Sequence, residues 1–324
     1  MIMFRSLYIR RVLQIPLVVF IVVSFGFIIL HIAPGDPLIY FAGESASPEY
    51  LETIKEAYGL DKPIFDQYIR YVRGAFIGDW GYSLTFEAPV INVILYRIPL
   101  TLLLTFTAFI ISITVGVGLG IGAALKRYSA IDTLVRAFTT IFNSVPPFII
   151  GLLLIYIFSV SLGICPLGGF RSLTAIYKNP IEEIMDIVWH LILPSISLAL
   201  IWMAAYTRTT RNTLIEALLS NYVRAAISRG VNKRRIVLNH ALRSVFLPIV
   251  TLAGVQIGYM MGGVILTETI FSWPGIGSLV MQSVVYRDFP LLMGVLFFSS
   301  IWVAITNLLV DISYMILDPR VRIQ

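Results

Sequence analysis

An all-α integral membrane protein with six transmembrane helices is the fold class this sequence predicts, and three observations predict it. First, 58% of the 324 residues are hydrophobic and only 13% are charged, whereas a soluble domain carries about 45–50% apolar and about 25% charged residues. A soluble core this apolar would leave too little charge to cover its surface, so the bilayer is the expected solvent and a soluble enzyme is excluded. Second, six stretches free of Lys, Arg, Asp and Glu are each long enough to cross about 30 Å of hydrocarbon, which takes roughly 20 helical residues. Third, the basic residues gather in the segments between alternate pairs of these stretches. That placement reads the net charge of +6 as a membrane face and not as a nucleic-acid surface.

The predicted spans are Val12–Pro34, Ile98–Leu125, Ala137–Phe170, Ile187–Thr207, Ser244–Thr267 and Phe289–Val310. The first exceeds the apolar core of a signal peptide, about 7–15 residues, and Ile32-Ala33-Pro34-Gly35 offers no A-x-A cleavage pattern, so it reads as a retained helix. Ala137–Phe170 is longer than one crossing needs and contains Pro146-Pro147, which removes two backbone donors and predicts a break or kink. A hinge, a pore lining and a static kink are all compatible with it. A seventh uncharged stretch, Thr269–Tyr286, is interrupted by Ser272-Trp273-Pro274-Gly275-Ile276-Gly277. It reads as a turn plus a short interfacial helix, because backbone this irregular cannot face lipid.

Orientation follows from charge. With the N-terminus inside, 16 basic residues and three acids (Asp132, Glu216 and Asp318) fall on the cytoplasmic side, while the outer segments hold eight basic residues and 14 acids. Both termini are then cytoplasmic, which six crossings require. Three regions result: residues 1–34, the cytoplasmic N-terminus and first helix; 35–97, an extracytoplasmic helical domain; and 98–324, a five-helix core with a cytoplasmic loop at 208–243. In the outer domain Ser47 as N-cap, Pro48 at the first position and Glu49 in the first turn predict a helix ending before Gly59. A second helix follows Pro63, with Phe65, Ile69, Val72 and Phe76 on one apolar stripe. Arg171, Lys178, Glu182, Glu183 and Asp186 on the outer side fit either contact with a substrate or binding protein or, more commonly, solvated loop charges.

Signatures of chemistry are missing from the sequence. There is no GxxxxGK[ST] phosphate loop, no HExxH, no Cys/His metal spacing and no GxSxG elbow. The lone Cys165 excludes a disulfide within the chain and a CxxC site. No cofactor, metal or enzymatic activity is expected. His31 and His190 lie near span ends and read as polar packing residues. A carrier driven by an ion gradient needs ionisable groups at depth; the candidates, Glu268 and Asp311, lie toward span ends, where Glu268 could cap the following turn and Asp311 could pair with a base. A transporter of this composition draws its energy from a partner. The inner loop is where a partner would act: Ser220–Gly230 reads as a capped short helix ended by glycine, and Asn232 caps a basic helix, Lys233 to Arg243, running toward Pro248. A docking helix and a solvated basic loop near anionic lipid both fit.

At this loop Asn221-Tyr222-Val223-Arg224-x-Ala226 … Gly230 … His240-Ala241-Leu242-Arg243 … Leu247-Pro248 resembles the cytoplasmic EAA loop of ABC-importer permeases. The version is that of the dipeptide/oligopeptide/nickel family, with Tyr-Val-Arg in place of the acid before the alanines. Further stretches resemble the B-type subunit of that family: His31-Ile32-Ala33-Pro34-Gly35-Asp36-Pro37, Gly59-Leu60-Asp61-Lys62-Pro63 … Gln67-Tyr68, Gly78-Asp79-Trp80-Gly81 … Ser83, His190-Leu191-Ile192-Leu193-Pro194 opening the fourth span, Glu268 … Trp273-Pro274-Gly275-Ile276-Gly277, and Asn307 … Asp311 … Asp318-Pro319-Arg320-Val321-Arg322.

The resemblance implies a type I importer permease fold and a non-enzymatic subunit in the cell membrane. It further implies a heterodimer with a C-type permease, two cytoplasmic ATP-binding subunits and an extracytoplasmic binding protein. Tyr222, Val223, Arg224, Ala225, Ala226, Arg229 and Gly230 would couple to the ATPases. His240, Arg243 and Pro248 would lie on the helix that transmits motion. Glu268, Trp273, Pro274, Gly275 and Gly277 would form an outer gating turn. Di- or oligopeptides are the leading cargo, with nickel chelates or oligosaccharides as alternatives and a lone ion-coupled carrier as a reading from another class.

Overall fold

Prolines and short polar caps set where many of the helices begin. The computed structural model describes residues 2–32, 47–58, 61–260 and 264–317. In chain order the helices are α1 (Ile2–Ile32), α2 (Pro48–Tyr58), α3 (Ile64–Ile77), α4 (Val90–Leu125), α5 (Ala130–Ser144), α6 (Pro147–Leu154), α7 (Pro180–Leu219), α8 (Asn221–Ser228), α9 (Lys233–Ile236), α10 (Leu242–Tyr259), α11 (Ile265–Ile270), α12 (Ile276–Val285) and α13 (Phe289–Leu317). Two π-helical stretches extend them, Ile155–Ser161 after α6 and Val237–Ala241 between α9 and α10. A small antiparallel hairpin, β1 (Tyr82–Ser83) and β2 (Ala88–Pro89), sets Tyr82 opposite Pro89 and Ser83 opposite Ala88.

Among the described residues, four helical stretches are long and apolar enough to cross a membrane: α4, α7, Arg234–Gly258 and Phe289–Val310. The pair α5 and α6 with its π extension makes a fifth if counted as one, bent by 106°. The expected break at Pro146-Pro147 is therefore a sharp corner. Val145 and Pro146 adopt extended backbone and Pro147 opens α6, because a residue before proline is driven out of the α region. The first predicted span, Val12–Pro34, overlaps α1, which begins ten residues earlier and whose described apolar part, Pro16–Ile29, is shorter than a crossing.

Several boundaries differ from the sequence reading. The stretch read as Ala137–Phe170 begins at Ala130 and ends its helix at Ser161. The fourth span extends well beyond Ile187–Thr207 in both directions, so His190 to Pro194 lie inside α7 and do not open it. The fifth is shifted toward the N-terminus, since Arg234, Arg235 and Arg243 are exposed side chains on a continuous helix. Charge ends a hydrophobic run without ending a helix, and long basic side chains keep their heads in water. Ala33 to Pro37, Gly59-Leu60, the Asp318–Arg322 motif and the side chain of Asp311 lie outside the described residues.

The chain divides into two compact units, Met1–Thr101 with Met261–Ile265 and Pro274–Leu309, and Leu102–Met260 with Leu266–Trp273 and Val310–Gln324. In the first unit α2 and α3 form where Pro48 and Pro63 predict them. The packing face of α3 shares only Val72 with the predicted stripe. Phe65 and Ile69 are exposed, and Phe76 meets only the edge of Phe297, at 6.1 Å between centroids. The contacts come from Tyr71, Val72 and Ala75 with Val19 and Val23 of α1 and Phe297 of α13. The Tyr68 ring also sits edge-on to Phe27, and its hydroxyl lies 2.6 Å from Ser24 Oγ. His31 packs as expected, with Nδ1 2.9 Å from the Phe27 carbonyl and Nε2 3.3 Å from Gln67 Oε1.

Asp288, 1% exposed, fastens the hairpin to the start of α13. Its Oδ2 accepts from Ser83 Oγ at 2.6 Å and Thr85 N at 3.1 Å, and its Oδ1 accepts from Leu291 N at 3.1 Å. Asp288→Ala leaves the buried Ser83 hydroxyl and Leu291 amide without their acceptor, releases the part-buried Thr85 amide and removes a helix cap, and is expected to destabilise by about 3 kcal/mol. Ser83→Ala should cost about 1 kcal/mol. Melting of the detergent-purified protein checks this; equal midpoints for the two variants would contradict the assignment.

In the second unit α7 is the central element, packed by α5, α6 and α10. Gly116 and Gly120 of α4 also lie directly on it. A Cβ built on Gly120 would sit 2.7 Å from the Thr207 carbonyl oxygen, and one on Gly116 would sit 3.0 Å from that of Met203. Small residues four apart allow this backbone approach between apolar helices. The start of α7 is capped by Asn179, whose Oδ1 accepts from Glu182 N while Glu182 Oε2 accepts from Lys178 N. Glu182, Glu183 and Asp186 are thus helical and not loop charges. Asp186 accepts from Ser172 N, Ser172 Oγ and Tyr177 Oη, and lies 3.4 Å from His190 Nδ1, so His190 too is a packing residue. The hydrogen bond to Asp186 pushes the Tyr177 phenol up from its ordinary value.

Candidate functional site

The short helix α8 is presented by the elements on either side of it. α7 ends at Leu219, and Ser220 takes extended backbone before α8 begins. The Ser220 hydroxyl donates to the Ala217 carbonyl at 2.5 Å, so it closes α7 and does not cap α8 as the sequence suggested; its backbone carbonyl accepts from Arg224 N instead. At the far end Gly230 N donates to Ile227 O and Val231 N to Ala226 O. This is the 5→2 and 6→1 pairing of a Schellman turn, and Gly230 sits at its left-handed position with φ +75°. Asn232 Oδ1 then accepts from Arg234 N at 3.0 Å, the predicted cap, and helix continues through the π stretch to Tyr259.

Only Val223 anchors α8 fully, at 1% exposed. Tyr222, Arg224, Ile227 and Arg229 are exposed, with Ala225 and Ala226 half-buried. The Tyr222 hydroxyl lies 3.1 Å from Ser244 Oγ on α10, so Tyr222 both presents its ring and ties α8 to the next long helix. His240 and Arg243 point outward. The contacts that bind this helix to α7 belong to Ala241 and Val245, which cluster with Leu214, Ile215 and Ala217 of α7 and Ala124 of α4. Their spacing of four is an apolar signal that the sequence reading passed over in favour of the charged residues. Pro248 is half-buried within α10.

The same end of the second unit holds a buried ion pair that sequence reasoning missed. Arg211 of α7 donates from Nε and Nη2 to the two carboxylate oxygens of Asp132 on α5, at 2.5 and 2.9 Å. No local signal joins residues 79 positions apart. The exposed surface nearby in sequence is cationic: Arg224, Arg229, Arg234, Arg235 and Arg243 against the exposed Glu216.

The predicted gating residues fall in both units. In the second, Glu268 is fully buried in α11, and its backbone carbonyl accepts from Trp273 N at 2.7 Å. The turn is therefore closed by main chain where a side-chain cap was expected. Trp273, also fully buried, packs on Leu104 and Leu191 and edge-on to Phe170. In the first, Gly275 caps α12, Gly277 is buried in its first turn, and Ile276 N donates to Thr101 Oγ1 at 2.7 Å. A turn followed by the short helix α12 is what the sequence predicts for this stretch.

Residues 116–323 match the family of binding-protein-dependent transport system inner membrane components, and residues 3–105 match the N-terminal membrane component of the same systems. The chain belongs to this family. It is 35% identical over 314 residues to the oligopeptide transport system permease protein AppB of Bacillus subtilis. Over 315 residues it is 35% identical to the glutathione transport system permease protein GsiC of Escherichia coli K12. A probable peptide ABC transporter permease of Sinorhizobium fredii, y4tP, is 35% identical over 313 residues. Each alignment covers 97% of this chain and 98% of the relative. The fold is that of a chain of the MetNI methionine ABC transporter solved in inward-facing conformations, with TM-score 0.56 at 16% identity over 71% of this chain and 98% of that one. The permease is thus a membrane subunit of a transport system.

Proposed function

We propose that this permease is the B-type subunit of an ATP-driven type I importer for di- or oligopeptides. It pairs with a C-type permease, crosses the membrane six times with both termini in the cytoplasm, and receives cargo from an extracytoplasmic binding protein at the 35–97 domain. Residues 98–324 form its half of the pathway, and the 208–243 loop meets two cytoplasmic ATPases. The relatives' names cite peptides, oligopeptides and glutathione, which favours a peptide cargo over nickel chelates or oligosaccharides.

The observation that carries the mechanism is the presentation of α8. It is a two-turn helix, anchored by one buried valine, exposing an aromatic ring and two arginines, and stiffly joined to a long helix on each side. Such a helix acts as a lever: closure of a paired ATPase dimer displaces it, and α7 and α10 carry the displacement into the membrane. The gating turn, with Glu268, Trp273, Pro274, Gly275 and Gly277, would close the outer end.

Arg224→Glu places an acid on the exposed face of α8 and is expected to lower recovery of the ATPase subunits in a mild-detergent pull-down by about tenfold, equivalent to about 1.4 kcal/mol. The unaltered chain should bring down a second permease and both ATPases. Undiminished recovery with Arg224→Glu would remove α8 from that interface.

A further inference from the structure

We propose that the Asp132–Arg211 pair is the fastening through which movement of α8 reaches the bent helix pair α5 and α6, making both residues positioning residues for coupling. The proposal rests on the reading of α8 as the ATPase-contacting helix.

Three features of the pair support it. The guanidinium meets the carboxylate side-on with two hydrogen bonds, a fork that fixes relative register as well as distance. The Asp132 side chain is completely buried and that of Arg211 is 16% exposed, so water offers little alternative to the contact. The carboxylate also gathers a third element. Tyr128, held at φ +67° in the turn between α4 and α5, donates its amide to Asp132 Oδ2 at 3.0 Å, and Ser129 Oγ accepts from Asp132 N. One buried anion thus ties together the turn that follows α4, the start of α5 and α7.

Its place along α7 gives this a mechanical meaning. Arg211 lies two turns before Leu219, and only Ser220 separates Leu219 from α8. A rotation of α8 is therefore delivered first to the segment that carries Arg211. The apolar contacts of Leu214, Ile215 and Ala217 hold the same segment against α4 and α10, but smooth aliphatic surfaces can slide by a fraction of a turn. The bidentate fork cannot slide without breaking. It links α7 to the helix that turns the 106° corner at Pro146-Pro147, so the corner moves with α8.

The test uses the complete importer in liposomes, with a labelled tripeptide and the binding protein. Asp132→Asn combined with Arg211→Gln removes both charges and leaves no unpaired buried ion; Arg211→Lys keeps the charge but loses the fork. A Ser228→Cys cross-link to the ATPase reports separately on α8. The expected result is assembled complexes that cross-link and hydrolyse ATP but take up roughly tenfold less peptide per ATP, with Arg211→Lys in between. An unchanged uptake per ATP, with only less assembled protein, makes the pair a structural brace and overturns the proposal. No cross-link in the otherwise unaltered chain overturns the reading of α8 itself. Should the double variant not assemble, the same ratio measured on Arg211→Lys decides.

Discussion

Gly120→Val is expected to prevent the second unit from assembling, while Gly118→Ala, two residues away on the same helix, is expected to be tolerated or mildly stabilising. A Cβ at position 120 would lie 2.6 Å from Thr210 Cβ and 2.7 Å from the Thr207 carbonyl oxygen. Neither neighbour can rotate aside, because one is the root of a side chain and the other belongs to the backbone of α7. Relief requires α4 and α7 to separate, and valine adds two methyl groups behind the first clash. One methylene too many in a packed interior costs roughly 1–3 kcal/mol, so valine exceeds that range. At Gly118 a Cβ meets nothing within 4 Å, and alanine gains about 1 kcal/mol of helix propensity. Thermal midpoints in detergent should fall for Gly120→Ala and hold or rise for Gly118→Ala. Equal shifts would place the seam elsewhere.

Those glycines show how far the sequence could be read. Gly116, Gly118, Gly120 and Gly122 contain two overlapping small-xxx-small patterns, and spacing alone cannot say which faces a partner. Legible features were local ones. Pro48 and Pro63 start helices, Pro146-Pro147 breaks one, and Gly230 ends α8, because each acts through the backbone of its own segment. Misread features depended on what lies across the interface. Of the apolar stripe Phe65, Ile69, Val72 and Phe76, Val72 joins the packed cluster, while α3 packs otherwise through Tyr71 and Ala75, with the Tyr68 ring against α1. The phenols carry both an apolar ring and a polar tip, and so do not register as core. Charge makes Glu182 read as a loop residue, although Asn179-Pro180-Ile181-Glu182 carries the N-cap and the acid three residues on. Asp132 with Arg211, and Asp288 with Ser83, are distant in sequence and needed the fold. In the 208–243 loop the resemblance pointed to α8, but the geometry added that Tyr222 reaches Ser244 and that Ala241 and Val245, flanking the outward-pointing Arg243, make the apolar contact.

Gly230→Val is expected to reduce transport more than tenfold while the protein still reaches the membrane, and the cause is conformational. A Cβ at Gly230 would meet nothing within 4 Å, so no clash accounts for the loss. The position sits at φ +75°, where left-handed backbone costs an L-residue roughly 1–2 kcal/mol and a β-branched one more. That cost is set against two hydrogen bonds, Gly230 N to Ile227 O and Val231 N to Ala226 O. If they open, α8 no longer leaves in a fixed direction toward α9. The lever then bends at its root, and displacement of α8 is spent in the turn. The turn is exposed and contributes nothing to the apolar helices, so insertion should be unaffected. A graded series separates this cause from size: asparagine, which tolerates left-handed backbone, should retain most transport, alanine less and valine least. If asparagine failed as completely as valine, the exit geometry of α8 would not be what Gly230 supplies. If all three transported normally, α8 would need no rigid exit at all and its motion would have to reach the membrane through α7 alone.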